Sequence, residues 1–370
     1  MHTVMVIGAG KIGLCVAHQF ARSGQYQVHL VDKVISAAHQ ALFSFVQELH
    51  FHQHDISDEK GMDAFIKKYE PIALISALPY FMNPALARVA KRHHLHYFDL
   101  TEDRQTSAEI QRIAEGQSTA FVPQCGLAPG WVGMIAYALM QDFEQVQSVK
   151  LRVGALPQHS HHPLKYALTW STDGLINEYA NACEALADGK VIERQALEGL
   201  ETLEFDGAIY EAFNTSGGLG HLVKLCKDKV QDLDYKTIRY PDHAEKMQFL
   251  MQGMHLNQNR ELLKNLLEHS VPTTTQDEVL LYVSVTGLKD GKLVEENVFK
   301  RLYPLLQGEI SWTAIQWTTA TSLCGVVDII LAAPERYQGF INQETLSLSA
   351  FKENQFGALL YESQGDKQLS

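Results

Sequence analysis

The first 32 residues constrain this chain more than any other stretch. A short apolar run, Thr3 to Ile7, reads as a buried strand and meets Gly8-Ala9-Gly10-Lys11-Ile12-Gly13 directly. Behind the glycines Ile12, Cys15, Val16 and Phe20 recur at helical spacing, and Gly24 supplies a stop. Val28 to Val31 reads as a second strand, ending at Asp32. Each glycine has a physical task. Gly8 allows the tight turn, Gly10 lets backbone approach a pyrophosphate, and Gly13 lets helix and strand pack closely. The helix then offers unpaired N–H groups and a positive dipole end to phosphates. Asp32 stands where a carboxylate accepts hydrogen bonds from the adenosine ribose. The expected cofactor is NAD rather than NADP, because Asp32 would repel a 2′-phosphate; Lys33 beside it offsets part of that.

The alternation continues. Leu49 to His54 reads as a third strand that brings Asp55 and Ile56 beside the adenine, and Ile72 to Ser76 as a fourth ending in Ala77-Leu78-Pro79. Asn83-Pro84 opens a helix, His96 to Leu100 is a strand carrying Asp99, and Ala120 to Pro123 is a sixth. Strands alternating with helices predict an α/β fold, a doubly wound parallel Rossmann sheet. Ligands bind beyond the carboxyl ends of such strands, so Leu78, Asp99, Thr101 and Cys125 are placed to face the crevice. Cofactor contacts are expected from residues 8–13, Asp32, Lys33, Asp55, Ile56, Ala77, Leu78 and Pro79.

After Trp131 the rhythm changes. Val149 to Val153 and Val279 to Val285 read as strands of a largely antiparallel sheet with one open face. Ser171 or Thr172 can cap a helix striped by Leu175, Ile176, Tyr179, Cys183 and Leu186. Ser216 to Gly220 is a loop, and Ala314 to Ala332 a long apolar helix packing back on the first domain. The expected division is a Rossmann domain over 1–130, an α+β substrate and dimerisation domain over 131–309, and a returning segment over 310–370.

The net charge of −12 argues against a nucleic-acid partner. No apolar run is expected to reach membrane-spanning length, and Val4 to Ile7 is too short for a signal peptide. Five singly scattered cysteines point to reduced thiols in a cytoplasmic protein. His159, His161 and His162, like the histidines at 50, 52 and 54 and at 93, 94 and 96, lack the cysteine or carboxylate that would complete a zinc set, so no metal is expected.

Several motifs resemble the saccharopine dehydrogenase-like superfamily, and within it the NAD-dependent L-lysine 6-dehydrogenases. They are the segments Gly8 to Gly13, Gly126 to Gly130, Gly154-Ala155-Leu156-Pro157, and Pro163-Leu164-Lys165-Tyr166 running on to Trp170-Ser171. Phe213 to Gly218 and Tyr235 to Pro241 complete the set, and the match covers roughly residues 1 to 330. The resemblance implies oxidation of the ε-amino group of L-lysine by NAD, with ammonia released, in a homodimer joined through the second domain. The reacting amine must be neutral to give up hydride, yet its ordinary pKa is ~10.4, so the site needs a base or a dry environment. Arg239 is the expected partner of the substrate carboxylate, with Thr101 and His243 also contacting substrate. Asp99, Lys165 and Tyr166 are the expected proton-handling residues. Where the family has glycine after Arg-Tyr-Pro this chain has Asp242, which would partly neutralise Arg239. Two alternatives stand beside this reading: an enzyme acting on saccharopine, and a protein that binds NAD without chemistry.

Overall fold

The computed structural model describes residues 1–362. The described residues form two compact units, Met1–Leu127 with Gln316–Leu360, and Ala128–Ile315 with Tyr361 and Glu362.

The first unit is built on strands β1 (His2–Ile7), β2 (Tyr26–Asp32), β3 (Leu49–Gln53), β4 (Ala73–Ser76), β5 (His96–Phe98) and β6 (Ala120–Val122). All neighbours pair in parallel, in the order β6-β5-β4-β1-β2-β3. Val4 to Ile7 and Ala73 to Ile75 are buried without a break, as strands covered on both faces must be. β5 and β6 end earlier than the sequence suggests. The chain turns at Asp99, whose carbonyl accepts from the Cys125 N–H at 2.9 Å, so the ladder cannot run on to Leu100 and Pro123. Gly339–Phe340 adds a seventh strand, paired in parallel beside β6 and too short to leave any pattern in the sequence.

The helix Ala314–Ala332 is long and apolar enough to cross a membrane by length and composition, which corrects the expectation that no run reaches that length. Its surface is spent on packing, with 72% of the apolar window buried. Its polar groups are also engaged: Thr321 exchanges hydrogen bonds with Gln19, and Asp328 takes the Tyr26 hydroxyl and the Asn354 amide.

The second unit carries β7 (Gln145–Pro157), β8 (Cys183–Ala187), β9 (Lys190–Arg194), β10 (Glu201–Phe205), β11 (Ala208–Asn214), β12 (Val230–Arg239), β13 (Asp277–Lys289) and β14 (Lys292–Leu302). The main path runs β10-β11-β12-β7-β13-β14, antiparallel except between β12 and β7. The one-open-face expectation holds only for Gln145 to Lys150. From Leu151 to Pro157 every residue of β7 is buried, and Leu156 packs in an apolar cluster with Tyr210, Ala212, Ile238 and Leu280. Gly154 sits where β7 crosses closest to β12: a Cβ there would stand 2.7 Å from the Ile238 carbonyl oxygen.

Candidate functional site

In the first unit the glycine turn divides its labour as the sequence implies. Gly8 has φ +107°, and a Cβ on it would stand 2.8 Å from the Ala77 oxygen. A Cβ on Gly13 would collide with the Gly8 carbonyl. Gly10 is different. It has extended backbone at the N-terminus of the helix Lys11–Arg22, no side chain caps that helix, and a Cβ there would meet nothing within 4 Å. The fold does not need glycine at position 10, whereas a pyrophosphate lying against the helix end does. The residues therefore fit a dinucleotide.

Asp32 closes this cradle. One carboxylate oxygen accepts the Ala9 N–H at 2.6 Å and the other the Val34 N–H at 3.0 Å, so the side chain also shapes the loop. Each oxygen keeps a lone pair for a ribose hydroxyl. Lys33 turns aside to Asp55 at 3.1 Å. Ile56 and Leu78, partly buried, pack on the core beneath the carboxyl edge, and Pro79 starts the short turn Tyr80–Met82.

Asp99 and Thr101 do not stand as expected. Asp99 is fully buried. Oδ1 accepts the Thr101 N–H at 2.9 Å and the Gln124 N–H at 3.1 Å, and Oδ2 accepts the Tyr97 hydroxyl at 2.9 Å. Burial pushes its carboxyl up to about 6, against these three donors. A carboxylate so enclosed ties the β5 and β6 loops together and is not a base within a substrate's reach. Thr101 is equally buried, and its hydroxyl accepts the Asp103 N–H at 3.2 Å. Cys125 points its thiol at the Val122 carbonyl, and burial holds its pKa well above the ordinary range.

In the second unit Arg239, the last residue of β12, is 2% exposed. Its guanidinium lies 4.9 Å from the Tyr166 ring centre and 5.9 Å from that of Tyr179. Nε donates to the Tyr179 hydroxyl at 3.0 Å, and Nη1 to the Ile238 carbonyl at 2.8 Å. No carboxylate forms an ion pair with it among the described residues. Burial opposes its charge, but Tyr179, Tyr166 and Glu178 outweigh that and hold its pKa above the ordinary value.

The hydrogen bonds around Arg239 fix every proton. Tyr179 accepts from Arg239, so it donates to His243 Nε2 at 3.1 Å, and His243 Nδ1–H donates to the Leu164 carbonyl at 2.7 Å. Burial and the Arg239 charge push His243 down to about 3, so it stays neutral in this tautomer. His243 thus orients the Tyr179 hydroxyl, and both of its ring nitrogens are engaged by the chain itself.

Lys165 and Tyr166 part company. Lys165, with φ +48°, reaches outward to Asp242 at 3.1 Å, while Tyr166 is buried beneath Arg239 with its hydroxyl accepting from Trp170 Nε1 at 3.1 Å. They form no joint proton relay. Asp242 does not neutralise Arg239 either, since its carboxylate faces Lys165 and, at 3.9 Å, Lys246. Its backbone has φ +76°, the left-handed conformation that the family glycine adopts freely, and Glu211 holds the turn through the N–H groups of Asp242 and Ala244. Asp242→Gly should raise the melting temperature by a few degrees, roughly 1 kcal/mol of relieved strain. KM for an amino acid should stay unchanged; a KM that falls severalfold would return Asp242 to the neighbourhood of Arg239.

Tyr179 and Glu178 were missed in the sequence. Tyr179 was read only as part of an apolar stripe. The available signal was Asn177-Glu178, two polar residues beside that stripe in a helix that buries both. The other cation near the motifs, Arg152, is locked between Glu201 and Asp234, with Lys236 and Arg194 in the same network. Among the described residues no group of three or more His, Cys, Asp or Glu is arranged to hold a metal ion.

Comparison with known proteins matches residues 4–121 to the saccharopine dehydrogenase NADP binding domain and residues 126–354 to the saccharopine dehydrogenase C-terminal domain, past the limit of about 330 read from motifs. Saccharopine dehydrogenase [NADP(+), L-glutamate-forming] of Schizosaccharomyces pombe is 20% identical over 208 residues, 55% of this chain and 46% of that protein. The mitochondrial alpha-aminoadipic semialdehyde synthase of Bos taurus is 23% identical over 243 residues, 62% of this chain and 26% of that protein. The matches thus span less than half the length of these relatives. Among solved structures, apo saccharopine dehydrogenase (L-Glu forming) of Saccharomyces cerevisiae superposes with a TM-score of 0.75 at 15% identity, covering 93% of this chain and 94% of the other. Homospermidine synthase of Legionella pneumophila, in complex with NAD, gives 0.69 at 11% identity, covering 100% and 91%.

Proposed function

Since the chain belongs to the saccharopine dehydrogenase family and carries its NAD(P)-binding domain, we propose that it oxidises the ε-amino group of L-lysine with NAD. The observation that supports this reading is Arg239, a buried guanidinium that forms no ion pair with a carboxylate among the described residues and feels only the charge of Glu178 nearby. Ions of this kind are costly unless paired, and the α-carboxylate of a small amino acid supplies the pair bidentately. Saccharopine would bring further carboxylates, and Arg152, the obvious second cation, is already satisfied by Glu201 and Asp234. With Arg152 engaged, Arg239 alone of these two arginines is left for a carboxylate, which suits a monocarboxylate.

When bound, NAD supplies the acceptor for the hydride that leaves C6 of the substrate. The chain's own residues orient and exclude water. Arg239 holds the carboxylate. Tyr166 lies against the guanidinium and the Tyr179 hydroxyl holds its Nε, while His243, kept neutral, fixes that hydroxyl, leaving Nη2 as the nitrogen with no bond to the chain among the described residues. The second reading, action on the C–NH bond of saccharopine, is favoured by the saccharopine dehydrogenases among its relatives, and the same Arg239 would then hold one of several carboxylates.

The preference for NAD follows from charge. With Lys33 drawn to Asp55, the ends of β2 and β3 present two carboxylates and one ammonium, a net negative site for a 2′-phosphate. NAD is expected to bind about tenfold or more tighter than NADP, and Asp32→Ala to weaken NAD while narrowing the gap. Titration of both cofactors checks this; equal affinities in the unmutated chain would refute it.

A further inference from the structure

Three histidines meet on one face of the outermost strand of the first unit. His50 and His52 alternate along β3 and so share a face. His29 of β2 stands beside both, its ring centre 5.3 Å and 5.0 Å from theirs. His29 Nδ1 and His52 Nε2 lie 2.9 Å apart, a hydrogen bond that a single proton satisfies. From the helix Glu59–Tyr69, Phe65 closes on His52 at 4.7 Å and Tyr69 on His29 at 4.2 Å. The Lys68 ammonium stands 4.8 Å over the Tyr69 ring. From β2, the Gln27 amide reaches His50 at 3.4 Å. The charge that bears on His29 and His52 is thus that of a lysine, and no carboxylate pairs with any of the three histidines among the described residues. A proton taken up here meets like charge and nothing that offsets it.

β3 is also lightly held. It ends the sheet and pairs with β2 alone, over five residues. Just past it the chain completes the adenosine side of the cradle: the His54 N–H donates to the Asp32 carbonyl at 2.8 Å, and Asp55 takes Lys33 at 3.1 Å. We propose that the cluster is an acid-sensitive latch, in which protonation of His29 and His52 parts β3 from β2 and weakens the hold on the adenosine half of the dinucleotide. Burial, then the neighbouring histidines and Lys68, keep His29 and His52 down at about 4, against an ordinary value of 6.5. The parted state therefore binds more protons below pH 6.5, and acid favours it. Each of the two histidines multiplies its population about tenfold at pH 5.5 and hardly at all at pH 7.5. The inference rests on the dinucleotide reading of the cradle and is independent of the amine oxidised.

Hydrogen exchange on the full chain, corrected for the intrinsic pH dependence of amide exchange, tests the latch without turnover. Between pH 7.5 and 5.5 protection of residues 49–54 should fall by about ten- to a hundredfold, while the β1 amides keep theirs. ADP-ribose affinity, read by calorimetry over the same range, should fall severalfold. In His29→Gln/His52→Gln, which stays neutral at both pH values, both changes should vanish; His221→Gln, a buried histidine of the second unit, should leave them in place. Melting curves identify a variant that has not folded, and exchange in the unmutated chain then carries the test. Equal loss of protection in β1 and β3, or none in β3, would overturn the proposal. So would a parted β3 with unchanged ADP-ribose affinity. Failure to bind ADP-ribose at pH 7.5 would refute the cradle itself and, with it, the coupling of the latch to cofactor.

Discussion

Arg239→Ala should raise KM for an amino-acid substrate by about two to three orders of magnitude, the ~3–5 kcal/mol that accompanies loss of one partner from a buried charge pair. Arg239→Lys should lose less, about tenfold, because an ammonium keeps the charge and loses the planar fork. Stability changes too, since the alanine variant leaves the Tyr179 hydroxyl without its donor and removes the guanidinium from beside the Tyr166 ring. A substrate pair separates the effects. 1,5-Diaminopentane is lysine without its carboxylate. The unmutated chain should prefer lysine strongly, and Arg239→Ala should treat the two alike. If the alanine variant still prefers lysine by the original margin, the carboxylate lies elsewhere.

Acid should unfold this protein early. His18, His29, His52 and His221 are held down near 4, in each case by burial first, and His243 near 3. Their ordinary value is about 6.5, so between pH 6.5 and 4 the unfolded chain binds more protons than the folded one. Stability from a depressed histidine is complete above pH 6.5 and falls as pH drops through that window. Asp99, raised to about 6, works in the opposite direction, as do Asp277 and Glu278, both raised by burial. Five histidines outweigh three carboxyls. At ~1.4 kcal/mol per pKa unit, discounted for the partly solvated rings, several kcal/mol disappear between pH 7 and 5, about 10 °C in melting temperature. Calorimetry at pH 7, 6 and 5 measures this, and a flat melting temperature would show that these histidines protonate in place.

How far the sequence could be read follows from what each signal depends on. The Rossmann half was legible because its glycine turn is local, Gly13 answering to the Gly8 carbonyl within one turn, and because Asp32 stands at a fixed spacing beyond it at the end of the second strand. The ends of β5 and β6 were not, because Asp99 cuts both short through bonds to Thr101, Gln124 and Cys125, a contact 25 residues away that no periodicity records. In the second unit β7 and β13 each run 13 residues, and only their centres showed, since strands buried on both faces lose the alternation that marks them. Arg239 could be chosen from its motif. Its companions could not, because Tyr179 lies 60 residues away and His243 reaches it only through Tyr179. Adjacency misled at Asp242 and Lys165: each adjoins or lies close to a buried partner in sequence, but the left-handed backbone at both turns the side chain outward to meet the other. The same geometry rewrote Asp99, whose expected chemistry became architecture.

The most direct test of the proposed activity is a panel of amines assayed with NAD and the full-length chain, reading NADH absorbance and ammonia together. L-lysine should yield both in equal amounts, faster at alkaline pH as more of the ε-amine is neutral, with saccharopine turned over poorly or not at all. NADH from saccharopine with none from lysine would contradict the account and move the chain to the second reading.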